Sequence, residues 1–182
     1  MEKIVVFVVV IATLNQSLSA QEDRGANKMF YYEMGGPGVL MSLNFDARFT
    51  SKERLKLGYR AGAGFGFAKL KSTWVDKDHG LTYIENIRQT YYSVPVGLNY
   101  VFGKPDNVNT FEVGAGVTFL AHKASPYALV DEKRFHTIGF LSFMYRVMPV
   151  NGGFSFRTGF TPLIGAEGDM LLSGAIGFGY VF

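Results

Sequence analysis

The chain has 182 residues, 48% of them hydrophobic and 15% aromatic, with a formal net charge of +3 and no cysteine. Without cysteine there are no disulfides and no thiolate metal sites, so stability rests on packing and closed hydrogen bonding. Basic residues are scattered among acids instead of gathered on one element, which argues against a nucleic-acid partner.

Lys3 precedes an unbroken apolar run from Ile4 to Ile11, which fades by Leu14 and meets Ser17-Leu18-Ser19-Ala20. The run falls short of the about 20 apolar residues a membrane-spanning helix needs. Residues 1–20 therefore read as a signal peptide cleaved after Ser19 or Ala20. No cysteine stands beside that site, which argues against a lipid anchor.

Beyond residue 28 the dominant signal is a two-residue period, the mark of strands with unlike faces. Met29 to Met34 is the first predicted strand. Val39 to Phe49 follows, with Ser42, Asn44, Asp46 and Arg48 on one face. Between them, Gly35-Gly36-Pro37-Gly38 reads either as a tight hairpin or as a kink in one long strand. From Leu55 to Phe67 large apolar residues alternate with Lys56, Gly58, Arg60 and three further glycines. Tyr92 to Phe102 sets Tyr, Val, Val, Leu, Tyr and Phe against Ser93, Pro95, Gly97, Asn99 and Val101. Phe111 to Phe119 alternates in the same way with Glu112, Gly114, Gly116 and Thr118. His136 to Val147 carries Arg146 on its polar face, and Phe154 to Thr161 carries Ser155 and Arg157. In the last strand, Leu172 to Phe182, every large apolar side chain except Val181 is at an even position.

Eight strands with alternating long and short connections predict an all-β fold, an antiparallel up-and-down barrel over residues 29–182. Thr50 to Arg54, Gly103 to Asn109 and Met148 to Gly152 are the short turns of this scheme. Lys71 to Leu81, His122 to Arg134 and Pro162 to Asp169 are its longer loops. A soluble lipocalin-like barrel has the same period with the apolar face turned inward. Volume separates the two readings. An eight-stranded barrel holds little beyond filling side chains, whereas an apolar interior here would have to take roughly forty large groups. Turned outward, those groups meet lipid, and the small residues let a narrow lumen close.

Ser42-Leu43-Asn44-Phe45, Ser93-Val94-Pro95-Val96-Gly97-Leu98-Asn99-Tyr100, Phe111-Glu112-Val113-Gly114-Ala115-Gly116-Val117-Thr118 and the terminal strand together resemble the small Gram-negative outer-membrane β-barrel family. The resemblance implies a transmembrane barrel with residues 21–28 as a short periplasmic segment. It also implies an assembly signal at Phe178, Tyr180 and Phe182, read by the barrel-assembly machinery. The expected surroundings are outer-membrane lipid and lipopolysaccharide, with the protein a monomer. The resemblance carries no substrate.

The predicted lumen contains Glu33, Asp46, Arg48, Lys56, Arg60, Glu112, Arg146 and Arg157. Opposite charges in a narrow space should pair and plug it. Glu112 with Arg146, and Asp46 with Lys56 or Arg60, are the expected partners; a gated or selective path is the alternative. Catalysis is the rival class. His79, His122 and His136 lie in loops or at a rim, with Ser142 deeper on the face of His136, and no spacing forms a nucleophile and base. Asp76, Asp78 and His79 are too generic to define a metal site. No cofactor is expected, and none of these residues is assigned a catalytic role. The outer loops mix Lys69, Lys71, Lys77, Lys123 and Lys133 with acids and expose Trp74 and Tyr127, a surface suited to solvent or to adhesion.

Overall fold

Strands with one apolar and one small or polar face leave two unpaired edges, and closing the sheet on itself removes both. The computed structural model describes residues 26–50, 53–76, 81–121, 137–165 and 168–182, and for 68–76 and 81–89 it describes the course of the backbone. It is a closed antiparallel barrel of eight strands in sequence order. They are β1 (Lys28–Gly35), β2 (Met41–Arg48), β3 (Lys56–Asp76), β4 (Leu81–Gly103), β5 (Asn109–Ala121), β6 (Thr137–Val147), β7 (Gly153–Ile164) and β8 (Met170–Val181). Closure runs through β1 and β8, in register from Met29↔Val181 to Gly35↔Ala175. Lys28 and Phe182 extend it by exchanging backbone bonds of 3.0 and 2.9 Å.

The large apolar groups face outward. Phe154, Phe160 and Leu172 are 65%, 61% and 64% exposed, and comparable side chains cover every strand. Near the end that carries the chain termini, rings meet across strands in a belt: Phe45 and Phe49 against Tyr59, Phe102 against Phe111, Phe111 against Tyr145, and Phe154 and Phe156 against Phe178. This is the surface of a transmembrane barrel, an apolar band edged with aromatics.

Two prolines sit inside strands, where a missing N–H interrupts the ladder. Pro95 pairs with Thr118 on β5, and on its other side the β3–β4 ladder skips Gly62 and Ala63. Pro162 pairs with Leu172 on β8, and the β6–β7 ladder skips Leu141 and Ser142. Pro162 thus belongs to β7, not to a loop, and the β7–β8 connection is shorter than the sequence predicts. The predicted loop from Lys71 to Leu81 is also largely strand. β3 and β4 stay paired out to Asp76↔Leu81, well past the last β2 partner of β3, Phe65.

The Gly35–Gly38 stretch is a hairpin connection, not a kink, and it does not stand in solvent. Gly35 and Gly36 take positive φ (72° and 65°), a short 3-10 turn spans Gly36–Gly38, and Val39 follows at φ 76°. This backbone turns into the mouth of the barrel, where Gly36, Pro37 and Gly38 are buried and Val39 is fully so. Ser93 Oγ donates to Gly38 O at 2.9 Å and Thr118 Oγ1 to Pro37 O at 2.7 Å, while Gly36 N donates to Ser173 Oγ at 3.3 Å. The turn carbonyls thus find partners inside the barrel instead of in water.

Bare backbone on the inner face is needed for closure. A Cβ on Gly179 would collide with Phe30 O and with the Cα and Cβ of Tyr31 across the β1–β8 seam, whereas one on outward Gly174 meets nothing within 4 Å. Gly179→Val should therefore lower the stability of the refolded protein by about 1–3 kcal/mol, the usual range for overpacking. Gly174→Ala should leave it near the wild-type value in the same urea titration.

Candidate functional site in the barrel lumen

Inner-face residues fill the lumen in three layers. At the outer mouth, beneath the inturned Gly35–Val39 segment, Val39, Tyr91, Leu120, Ile138, Phe140 and Leu163 form a buried apolar cluster. At the opposite end, Ala26, Met29, Tyr31, Met148 and Val181 form a second one. Between them lie four buried arginines and three buried carboxylates, which alternation along β1, β2, β3, β5, β6 and β7 aims at the axis.

Glu112 is the hub of the charged layer. Its carboxylate accepts from Arg146 at 2.7 Å and from Arg157 at 3.1 Å, with Arg60 at 4.0 Å. Glu33 holds Arg60 at 2.9 Å and Arg157 at 3.3 Å. Asp46 pairs with Arg48, accepts from Asn99 Nδ2, and has Arg146 at 3.6 Å. Arg48 also donates to Asn99 Oδ1 at 2.7 Å and to Lys56 O at 2.8 Å. The rings of Tyr31 and Phe140 flank the cations: Arg157 lies 4.6 Å from the Tyr31 ring centre and Arg60 5.5 Å from that of Phe140. The side chains of Glu33, Arg60, Glu112 and Arg157 have no solvent exposure.

Arg146 and Arg157 are opposite each other in the β6–β7 register. Such a like-charge pair repels across strands. Glu112, supplied by β5, lies against both and resolves the repulsion.

Seven of the eight residues assigned to the lumen from sequence are inside it, and Lys56 is not. It starts β3 at φ 77°, and its amine is exposed and bonded to Glu53 at 2.5 Å. Parity alone puts it inside, but at a strand end a long amine reaches water without being desolvated. Asp46 accordingly pairs with neither Lys56 nor Arg60, its register partner, but with Arg48 and Arg146. The reason is reach. Glu33 and Glu112 draw the Arg60 guanidinium away along the axis.

Sequence reasoning overlooked Arg54. It is buried beneath the turns at the terminal end, where its guanidinium donates to Met148 O, to Pro105 O at 2.8 Å and to Asn107 O at 2.7 Å. One side chain thus ties together three turns. Burial pulls its pKa below the ordinary arginine value, with Asp106 opposing. The one sequence cue was an arginine directly before a strand, which is not distinctive.

Residues 1–25, Asp78, His79, His122, His136 and the loop from His122 to Arg134 lie outside the described residues. Ser142 is buried on the inner face of β6. Among the described residues no cluster of His, Cys, Asp or Glu has the makeup of a metal site.

Fold and interior together define an eight-stranded barrel of the transmembrane type with a packed, charged core. The N-terminal β-barrel domain of Pseudomonas aeruginosa OprF shares this fold: at 11% identity and a TM-score of 0.51, the match covers 87% of this chain and all of that domain. The attachment invasion locus protein Ail of Yersinia pestis, solved with the heparin analogue sucrose octasulfate, also matches, with 14% identity, a TM-score of 0.29, and coverage of 88% of this chain and 98% of Ail. No protein-family model and no curated protein sequence matches the chain.

Removing one partner of a buried ion network leaves the others uncompensated, typically at a cost of about 3–5 kcal/mol. Glu112→Gln should destabilise the folded barrel on that scale in a urea titration, and adding Arg146→Met should recover part of the loss. Lys56→Gln should leave the midpoint unchanged.

Proposed function

We propose that the protein is an integral outer-membrane barrel that works as a structural or surface-interaction element, without an open pore and without enzymatic activity. The observation that carries this reading is the filled interior, with apolar plugs at both ends of an ion layer whose residues are all buried. A conducting lumen needs a continuous wet path, and this one is blocked by packed side chains and by the inturned segment. The outward apolar band supports the membrane setting, as does the fold shared with the OprF barrel, an outer-membrane protein. The surroundings are then outer-membrane lipid and lipopolysaccharide, and the barrel is a monomer. Its closing strand β8, with Phe178, Tyr180 and Phe182, is what the barrel-assembly machinery recognises. Phe178 and Tyr180 are exposed on the outer wall, as such recognition requires.

Purified protein in planar bilayers should show no large, steady conductance; a stable open level would overturn the plugged-lumen reading. In cells, Phe182→Asp should reduce the heat-modifiable form in the outer-membrane fraction several-fold. An unchanged yield would remove β8 from the assembly step.

A further inference from the structure

Among the described residues the ion layer sets Arg48, Arg60, Arg146 and Arg157 against Glu33, Asp46 and Glu112, and all of them are buried. Arg54 lies apart, under the turns at the terminal end. The layer therefore carries one positive charge more than its carboxylates balance. Sharing a carboxylate between two guanidiniums distributes the contacts but leaves that sum unchanged, and an uncompensated charge away from water is costly.

The hydrogen bonds carry the same imbalance. A guanidinium has only N–H donors and no acceptor, so the four of them ask for more oxygen than the three carboxylates supply. Arg146 Nη2 turns to a thioether, Met29 Sδ, at 3.0 Å, while Arg60 and Arg157 lie over aromatic rings. Nε and Nη1 of Arg60, Nε and Nη1 of Arg157 and Nε of Arg146 have no hydrogen-bond partner, and neither has the Tyr31 hydroxyl. Three of these side chains form one group, with Arg157 4.6 Å and Arg60 5.9 Å from the centre of the Tyr31 ring. Glu33 accepts from Nη2 of Arg60 and Glu112 from Nη2 of Arg157. Glu33 also lies 3.3 Å from Arg157 Nε, and Glu112 4.0 Å from Arg60 Nη1.

We propose that the lumen binds one halide ion, chloride in the cell, between Arg60, Arg157 and the Tyr31 hydroxyl. A water molecule meets the hydrogen bonds of such a group but not its charge, whereas a monovalent anion meets both. The narrow lumen of an eight-stranded barrel suits a monatomic ion better than an oxyanion or a carboxylate. With apolar clusters on both sides of the layer, the ion is enclosed as the barrel closes and released when it unfolds. It is then a ligand of the folded state alone, and halide raises the stability of the barrel by mass action.

The test uses the full chain refolded into detergent micelles in sodium chloride, sodium bromide or sodium gluconate at equal ionic strength, gluconate being too large for the lumen. At a fixed urea concentration within the transition, the unfolding equilibrium constant should be about tenfold lower in either halide than in gluconate, as for a ligand at about ten times its dissociation constant. Tyr31→Phe keeps the ring, removes one donor and should reduce that ratio several-fold. Arg60→Met balances the charge of the layer and should abolish it. K28Q/K56Q/K104Q, which removes three exposed charges, should leave it intact. Crystals grown in bromide should show an anomalous peak in contact with the Arg60 and Arg157 guanidiniums. Equal stability in halide and gluconate would overturn the site, as would bromide peaks on the protein surface alone, which mark an adventitious ion only. A ratio that Tyr31→Phe and Arg60→Met both leave unchanged arises outside the lumen and would overturn it too. Should Arg60→Met fail to fold, Tyr31→Phe and the bromide peak decide the matter.

Discussion

The β1–β8 ladder is the constraint on which the rest depends. Until those strands pair, the sheet carries two rows of unsatisfied N–H and C=O groups, which neither lipid nor a packed interior can solvate. Pairing them fixes the strand number, and the strand number fixes a narrow interior. From that follow the bare inner positions at Gly62, Gly114, Gly116, Gly177 and Gly179, each of which faces a backbone or side chain that a Cβ would strike. The bulky half of the composition then has only the outside left to occupy.

Small inner residues make room for a few long ones, and those are the charged residues. Four guanidiniums in a desolvated space are tolerable because every carboxylate serves at least two of them, and because two aromatic rings supply further electrostatic partners. Glu112 holds β5, β6 and β7 in mutual register through Arg146 and Arg157, and Glu33 adds β1 and β3. The network therefore specifies strand neighbours as well as neutralising charge. Arg54 performs the analogous task in the turns, with carbonyls in place of carboxylates.

Alternation made most of this legible in the sequence, because a period of two survives any tertiary context that closes a sheet. It identified the eight strands, the outward set and the inward identity of Glu33, Asp46, Arg48, Arg60, Glu112, Arg146 and Arg157. It failed where parity stops being geometry. At Lys56 the strand begins with a left-handed residue and the side chain leaves the lumen. Past Phe67 the chain loses its aromatic alternation and gains polar residues, so that a paired ribbon looks like a loop. The Gly35–Gly38 turn was recognisable as a turn, but its direction depends on hydroxyls at Ser93, Thr118 and Ser173, which are distant in sequence.

The inturned turn and the long ribbon stand at the same end of the barrel, and they divide its tasks. The first connection, β1–β2, is spent on closing the mouth, and its residues are buried. The second, β3–β4, projects backbone-paired structure well beyond the wall. A barrel whose interior is filled by ions and apolar plugs has no open path along its axis, which leaves its wall and rim as the surfaces open to contact. Strand pairing gives that ribbon a fixed course relative to the apolar wall, which an unpaired loop would lack.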